Sequence, residues 1–356
     1  MQLGGRRKHC RFRVIPLIAN FESVTVRVEK KHQGDKAEAS SINLCPYCQA
    51  KANPFLSARD INRQVTEEIF YYSQCGDCGL VFMDEIPEEM ASYYTGGYQP
   101  IPASLAELQV LASKEKYRLE PILRYKRSGK LLELGPWIGI FSSNAKDAGF
   151  DVTAVDMSID CVNFLQNVLK IRVFQSDEPA TAVANLNERF DVVVLWHCLE
   201  HFPRPWEVIQ QITHVLQPGG VLLVALPNIE SYEFGVLKSR WTHIDAPRHL
   251  HFYPLTSLTA LCKANGLRCI EATTSDQLSR ALRRSSWHAW GNGLVPWSSF
   301  IGRVLGVVLG RLAGFFVGSA GRHEGAGAGI TAVYVKDTSA VGVEGNSNVT
   351  SGSAQT

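Results

Sequence analysis

Two pairs of cysteines with the same short spacing lie near the start of the sequence. Cys45 and Cys48 form one C-x-x-C pair, and Cys75 and Cys78 form the other, with 26 residues between the two pairs. A C-x-x-C turn directs two thiolates to one side, and two such turns complete the tetrahedral sulfur set that suits Zn²⁺. The spacing therefore predicts a structural zinc site. A redox role for one pair is the alternative, but neither pair opens a helix after a strand, as a thioredoxin-like motif requires.

Glycines and acids at the ends of two predicted strands indicate a nucleotide site. Glu133, Gly135 and Gly139 lie in a turn between an apolar strand and a helix, and Asp156 ends the next strand. Glycines let the backbone approach a ligand at a helix N-terminus, and an acid in this position binds ribose hydroxyls. A dinucleotide dehydrogenase is the rival class, but its fingerprint needs further glycines at 137 and 140, where the chain has Trp and Ile.

Imidazole groups are concentrated after two later apolar runs. His197 and His201 follow the run FDVVVLW, and His249 and His251 lie in the segment WTHIDAPRHLHFY. An imidazole near its free pKa accepts a proton at neutral pH. His201, His249 and His251 are therefore the candidate catalytic residues. The alternative for His201 is a structural role at the start of the following helix, and for His249 a structural role in a lid.

The elements that must position these residues alternate along the chain from about residue 130. Short apolar runs rich in β-branched residues are separated by amphipathic stretches of about 10–15 residues, which predicts βαβ units and a parallel sheet. The runs are KLLELG, DVTAVD, IRVF, FDVVVLW and GVLLVAL. Before them, leucines at helical spacing predict a helix within residues 104–127.

With this order of elements, the sequence from residue 104 to 336 resembles the class I S-adenosylmethionine-dependent methyltransferases. Their first motif, roughly (D/E)-x-G-x-G-x-G, is matched by Glu133, Gly135 and Gly139, with Trp137 in place of the central glycine. By this resemblance, Asp156 is the acid that binds the ribose, Met157 is the neighbour that packs on the adenine, and Asp177 lies near the adenine amine. FDVVVLWHCLEHFPRPWEVI matches the region of the fourth strand, and LQPGGVLLVALPN matches that of the fifth. His197, in the first of these segments, is taken as cofactor-binding.

This resemblance implies an α/β fold class, with a doubly wound, seven-stranded, Rossmann-like sheet and S-adenosylmethionine as cofactor. The last strand, at residues 330–336, is expected to run antiparallel beside the fifth. The cysteine pairs, with CGLVFMD and YYTGGY, resemble the front module of methyltransferases that act on sugars or other small molecules. The fold is thus expected to carry a small N-terminal zinc ribbon.

The composition of the chain limits the fold, the partners and the cell compartment that we expect for the protein. Hydrophobic residues make up 45% of the chain, charged residues 20%, and the net charge is only +2. That balance predicts a globular core and argues against nucleic acid as the main partner. Nine unevenly placed cysteines and the lack of a recognisable secretory signal favour a reducing, cytoplasmic compartment.

The predicted organisation divides the chain into a series of segments. These are a basic flexible extension at 1–40, a zinc-ribbon-like module at 42–98, a methyltransferase domain at 104–336 that contains an apolar helical insertion at 287–320, and a disordered tail at 337–356.

The apolar insertion has glycines at every fourth position from 302 to 318, a spacing that lets another helix or surface approach closely. Arg303 and Arg311 oppose a bilayer crossing, as does the need for the chain to return to the sheet. We predict an amphipathic helix lying in the membrane surface, with peripheral contact through 287–320. The alternative is a helical hairpin or lid packed on the domain or in a homodimer interface.

The predicted function is methyl transfer to oxygen or carbon of a small molecule, sugar or lipid-linked precursor. The amino-group methyltransferase motif Asn/Asp-Pro-Pro-Tyr is missing after the fourth strand, where the chain reads Trp196-His197-Cys198. One alternative is an RNA methyltransferase whose zinc ribbon grips nucleic acid, which a continuous basic face around 104–130 would favour. Another is a non-catalytic cofactor-binding module, for which Trp137 is the hint.

Overall fold

The computed structural model describes residues 43–94, 100–293, 300–317 and 323–338. The predicted extension at 1–40 lies outside the described residues, as does the predicted tail from residue 339 onwards.

Strands and helices alternate through most of these ranges. The strands are β1 (Ala52–Arg59), β2 (Ile69–Cys75), β3 (Val81–Met83), β4 (Gly129–Leu134), β5 (Phe150–Asp156), β6 (Arg172–Gln175), β7 (Phe190–Trp196), β8 (Leu216–Pro227), β9 (His251–Phe252), β10 (Leu267–Thr273) and β11 (Gly329–Lys336). The α-helices are α1 (Leu105–Ser113), α2 (Glu120–Leu123), α3 (Ile140–Asp147), α4 (Ile159–Phe164), α5 (Pro179–Ala184), α6 (Pro205–Val215), α7 (Tyr232–Leu237), α8 (Leu255–Ala264), α9 (Gln277–Gly293) and α10 (Phe300–Val317).

The larger sheet has seven strands in the order β10-β11-β8-β7-β4-β5-β6. The pairs β4–β5, β4–β7, β5–β6 and β7–β8 are parallel. The last strand, β11, lies antiparallel between β8 and β10. The predicted doubly wound seven-stranded sheet is therefore confirmed, together with the antiparallel last strand beside the fifth strand of the alternating region.

The central strands are apolar on both faces, because helices and loops cover both sides of the sheet. Successive residues of a strand point to opposite sides. Leu132 and Val193 accordingly belong to one buried cluster, and Leu131 and Val192 belong to the other. The parallel strands β4, β5 and β7 thus end side by side at one edge, where a ligand can be bound.

A second, four-stranded sheet has the order β1-β2-β3-β9, with antiparallel pairing throughout. Its last strand comes from far along the chain: Val81 is opposite Phe252, and Phe82 is opposite His251. Cys45 and Phe82 are buried in the same cluster as one face of the large sheet. The cysteine-containing module is therefore packed on the methyltransferase-like region and shares a strand with it.

The apolar insertion forms a helical hairpin in which α10 runs back along α9. Gly291 of α9 lies against the backbone of Gly306 and Gly310, and Gly310 lies against the backbone of Trp287. The four-residue glycine spacing thus serves close packing between two helices, as the hairpin alternative predicts. Contact with a membrane surface stays a prediction. None of the helices in the described ranges is long and apolar enough to span a bilayer.

The hairpin contact can be tested by adding a methyl group where two backbones meet. A Cβ on Gly310 would lie 2.5 Å from the carbonyl oxygen of Trp287, so Gly310→Ala should destabilise the protein by about 1–3 kcal/mol through overpacking. Gly314→Ala is the matched control, because its Cβ would meet the Trp287 side chain at an ordinary 3.5 Å. Urea denaturation followed by tryptophan fluorescence measures the difference. Equal stability of the two variants would contradict the close packing.

Candidate active site and zinc centre

The four paired cysteines converge on one point of the N-terminal module. Cys45 Sγ lies 3.7 Å from Cys78 Sγ, and Cys48 Sγ lies 3.4 Å from Cys75 Sγ. All four sulfur atoms lie within 4.8 Å of one another. A Zn²⁺ ion bound by four thiolates at about 2.3 Å separates the sulfurs by about 3.8 Å. The quartet therefore fits zinc, and four thiolates leave no open position for catalysis.

Backbone donors prepare one of these thiols for metal binding. Burial alone would raise the pKa of Cys75, but the amides of Cys78 and Asp77 and the Cys48 thiol lower it to about 7. The Cys78 amide nitrogen lies 3.4 Å from Cys75 Sγ. Such donors stabilise the thiolate, which is the form that coordinates a metal.

The turn after β4 depends on two glycines. Gly135 and Gly139 have φ angles of +66° and +80°, and a Cβ on Gly135 would lie 2.5 Å from Cys198 Sγ. Trp137, between them, also adopts a left-handed conformation, with φ of 52°. That conformation is strained for a bulky residue, so the surrounding turn must hold it. The close contact with Cys198 places this turn directly against the loop after β7.

Asp156, at the end of β5, holds the same turn. Its Oδ2 accepts a hydrogen bond from the Trp137 amide at 3.0 Å, and its Oδ1 accepts one from the Ser158 amide at 2.8 Å. Burial raises the pKa of this carboxyl, and the backbone donors partly offset that effect. Each oxygen keeps further lone-pair capacity for a ribose hydroxyl. Asp156 therefore fits the predicted role and also explains how Trp137 is held in its conformation.

The remaining predicted cofactor residues near this turn lie at different depths. Glu133 is buried, accepts a hydrogen bond from the Ser142 hydroxyl, and has its pKa raised to about 7 by burial. It thereby joins β4 to the first turn of α3. Met157 is 47% exposed just beyond β5, and Asp177 is exposed in the loop after β6. Met157 and Asp177 are thus open to a ligand, whereas the buried Glu133 supports the turn through its hydrogen bond with Ser142.

Glu200, His201 and His249 form a group that we call the acceptor cluster. One ligand atom from each of the three side chains lies within 4.8 Å of the others. Burial would raise the pKa of Glu200, but hydrogen bonding to His197 and the charges of His197, His249 and His201 lower it to about 2. Glu200 is therefore ionised at neutral pH. Its Oε1 lies 3.2 Å from His197 Nδ1, and its buried Oε2 has no hydrogen-bond partner among the described residues.

Backbone carbonyls orient both imidazoles of the cluster. Nδ1 of His201 lies 2.9 Å from the Arg248 carbonyl oxygen, and Nδ1 of His249 lies 2.8 Å from the His243 carbonyl oxygen. A carbonyl only accepts, so each Nδ1 carries the proton and each neutral ring keeps a lone pair on Nε2. Burial, and then the charge of His249, lower the pKa of His201 to about 4. The cluster consequently offers acceptors to a substrate hydroxyl.

The structure does not bring every predicted histidine into this cluster. His251 is buried in β9, its ring centroid lies 5.8 Å from that of Trp206, and burial lowers its pKa to about 4. His197 has a φ of 49° and bonds to Glu200, while its buried Nε2 has no partner within the described part of the chain. His201 and His249 thus remain the candidate catalytic pair, with His197 beside the cofactor turn.

Two residues that the sequence analysis did not select also support the cluster. Tyr94 Oη lies 3.1 Å from His201 Nδ1. Asp60, just after β1, lies 2.6 Å from the fully buried guanidinium of Arg248, which also bonds to Asp245 at 2.9 Å. Asp60 belongs to no quoted motif, and Tyr94 lies in YYTGGY, which gives no sign of its contact with His201. The partners of both residues lie more than 100 residues away in the sequence.

The seven-stranded sheet, its glycine turn and the strand-end acid are the features that the resemblance to class I S-adenosylmethionine-dependent methyltransferases predicts. Residues 106–272 match a family model described as a methyltransferase domain. This part of the chain is therefore a methyltransferase domain, as the resemblance predicts.

Curated relatives point to the same chemistry. The ubiquinone biosynthesis O-methyltransferase of Colwellia psychrerythraea is 29% identical over 154 residues, covering 40% of this chain and 63% of the relative. That of Haemophilus ducreyi is 30% identical over 156 residues, covering 40% of this chain and 66% of the relative. The chain thus spans just under two thirds of the length of these relatives. A solved SAM-dependent methyltransferase from Archaeoglobus fulgidus aligns with 63% of this chain and 94% of its own at 18% identity and a TM-score of 0.44, a similarity too remote to inform function.

Metal analysis tests the zinc centre. The purified protein should contain about one zinc per chain, and Cys45→Ser should lose it, because three thiolates bind the ion far more weakly than four. Cys161→Ser, which removes a buried thiol outside the quartet, should keep the zinc. We expect the Cys45→Ser variant to lose structure in the N-terminal module and to retain the large sheet. Wild-type protein without zinc, with all four thiols reactive, would contradict the assignment.

Calorimetry with S-adenosylhomocysteine tests Asp156. Asp156→Ala removes a charged acceptor for the ribose and the anchor of the Trp137 amide, so binding should weaken by on the order of 1.5–3 kcal/mol. Asp151→Ala is the matched control, because Asp151 is exposed near the opposite end of the same strand. Unchanged affinity in the Asp156 variant would remove this residue from the cofactor site.

Proposed function

We propose that the protein transfers a methyl group from S-adenosylmethionine to a hydroxyl oxygen of a small molecule. The observation that carries the proposal is the position of the acceptor cluster beside the glycine turn. Gly135 packs on Cys198, and Glu200 and His201 follow within the same loop. The names of the curated relatives favour oxygen over carbon as the methylated atom.

The chain's own residues supply orientation and a proton acceptor. Bound S-adenosylmethionine provides a sulfonium methyl group for in-line displacement by the substrate oxygen. As the oxygen–carbon bond forms, the hydroxyl must lose its proton, and Nε2 of His249 takes it. The Glu200 carboxylate is close enough to stabilise the imidazolium that results. His201, with its pKa near 4, stays neutral and helps to orient the hydroxyl.

Ion pairing within the chain argues against the RNA methyltransferase alternative. A continuous basic face around residues 104–130 would have favoured it. Arg124 pairs instead with Glu271, Lys130 lies 2.9 Å from Glu188, and Arg118 lies 2.9 Å from Glu115. Three of the seven Lys and Arg residues in this stretch thus have carboxylate partners, which weakens the field that it offers to a phosphate backbone.

Turnover of single variants tests the acceptor cluster. Methyl-labelled S-adenosylmethionine is incubated with a panel of phenols, catechols and hydroxylated sugars to find an acceptor. With that acceptor, His249→Ala should lower kcat about 10²–10⁴-fold through loss of the proton acceptor, while the affinity for S-adenosylhomocysteine stays unchanged. His201→Ala should have a smaller effect.

The matched control is His214→Ala, which removes an exposed imidazole on α6 and should leave turnover unchanged. Wild-type turnover in both the His201 and His249 variants would show that the proton leaves by another route. Failure of the wild-type protein to bind S-adenosylhomocysteine would instead contradict the proposed activity itself.

A further inference from the structure

The hairpin of α9 and α10 carries charge of one sign. Residues 277–317 contain five arginines and no Asp or Glu. Arg280, Arg284 and Arg311 are exposed. A surface segment with this composition is attracted to anionic groups, and phospholipid headgroups present such groups at high density.

An apolar stripe lies on the same hairpin. Val304, Leu305, Val308 and Leu312 are 47%, 47%, 44% and 50% exposed. At about 100° per residue, these four positions fall within an arc of about 100° around the axis of α10, and Arg311 lies at the edge of that arc. Isolated exposed aliphatic residues are ordinary, but four on one stripe form a contiguous apolar surface.

This stripe is not the surface that packs α10 on the protein. Gly306 and Gly310 are buried and face α9, where Gly291 and Trp287 meet them. Glycines on one side therefore fix the helix to its neighbour, and branched aliphatic residues on the other side remain in contact with solvent. An arginine at the margin of such a stripe can extend its charge to a headgroup while its stem stays in the apolar layer.

The hairpin also contacts the loop that carries His249 of the acceptor cluster. His243 Nε2 lies 3.0 Å from the Leu282 carbonyl oxygen of α9, and Trp241 Nε1 donates to Ser286 Oγ at 3.0 Å. The His243 carbonyl in turn accepts the hydrogen bond from His249 Nδ1. The hairpin that carries the stripe is therefore joined, through α9, to the segment that orients the proposed proton acceptor.

We propose that the hairpin docks the protein on an anionic phospholipid bilayer, with the stripe of Val304, Leu305, Val308 and Leu312 entering the interface and the exposed arginines contacting headgroups. Docking there presents the site to a hydroxylated substrate that is itself dissolved in or anchored to the bilayer. This statement about substrate rests on the proposed methyl transfer, whereas the docking itself does not.

Co-flotation with vesicles tests the docking. The full-length protein should float with vesicles of equal parts phosphatidylglycerol and phosphatidylcholine, and should float far less with phosphatidylcholine alone or at high salt. Replacing the four stripe residues by serine should abolish flotation. Changing Arg280, Arg284 and Arg311 to glutamine should weaken it roughly 100-fold, at about tenfold or less for each basic residue. The control carries Val110→Ser and Val236→Ser, two residues at 59% and 50% exposure outside the hairpin, and should float as the wild type does.

Other outcomes would overturn the inference. If the protein does not float, or if the stripe variant floats as well as the control, the stripe does not bind a bilayer. If the wild type is a dimer by light scattering and the stripe variant is a monomer that binds vesicles equally, the stripe is an interface between two copies. Methyl transfer to a soluble acceptor by a protein that does not float would leave the proposed function standing and remove only the docking.

Discussion

The buried guanidinium of Arg248 joins the N-terminal module to the loop that carries the candidate catalytic residue His249. Asp60 binds it from the module, 188 residues away in sequence, and Asp245 binds it from the loop. Removing one partner of a buried ion pair leaves an uncompensated charge, which costs about 3–5 kcal/mol. The Arg248 carbonyl accepts the hydrogen bond from His201, and His249 follows in the chain. The positions of both rings thus depend on this contact.

Much of the architecture could be predicted because the signals are local. The apolar runs that became β4, β5, β7 and β8 are readable as strands, since each is short, β-branched and followed by an amphipathic stretch. Parallel pairing then requires their carboxyl ends to meet, which brings Gly135, Asp156 and His197 to one edge. The cysteine quartet could be predicted for a similar reason, because each C-x-x-C spacing is local and two such turns supply four thiolates for one tetrahedral site.

The remainder depends on pairings between distant residues, for which a single sequence carries no signal. His251 looks equivalent to His249 in the segment RHLHF, but His251 lies in β9 with its ring against Trp206, whereas His249 lies in the loop before that strand. Asp60 and Tyr94 acquire their roles only when the module packs on the large sheet. The glycine repeat in the insertion indicated close packing correctly, yet the repeat alone could not distinguish a neighbouring helix from a lipid surface.

The two-residue strand β9 has a consequence for how the chain folds. It pairs with β3 across 170 or so residues of sequence, so the small sheet has high contact order and closes late. Until His251 and Phe252 arrive, β3 presents an open edge with unpaired amide and carbonyl groups. During translation, the five strands β4 to β8 of the large sheet are synthesised before β9 can cover that edge. The N-terminal module therefore depends on the later part of the chain for protection against aggregation.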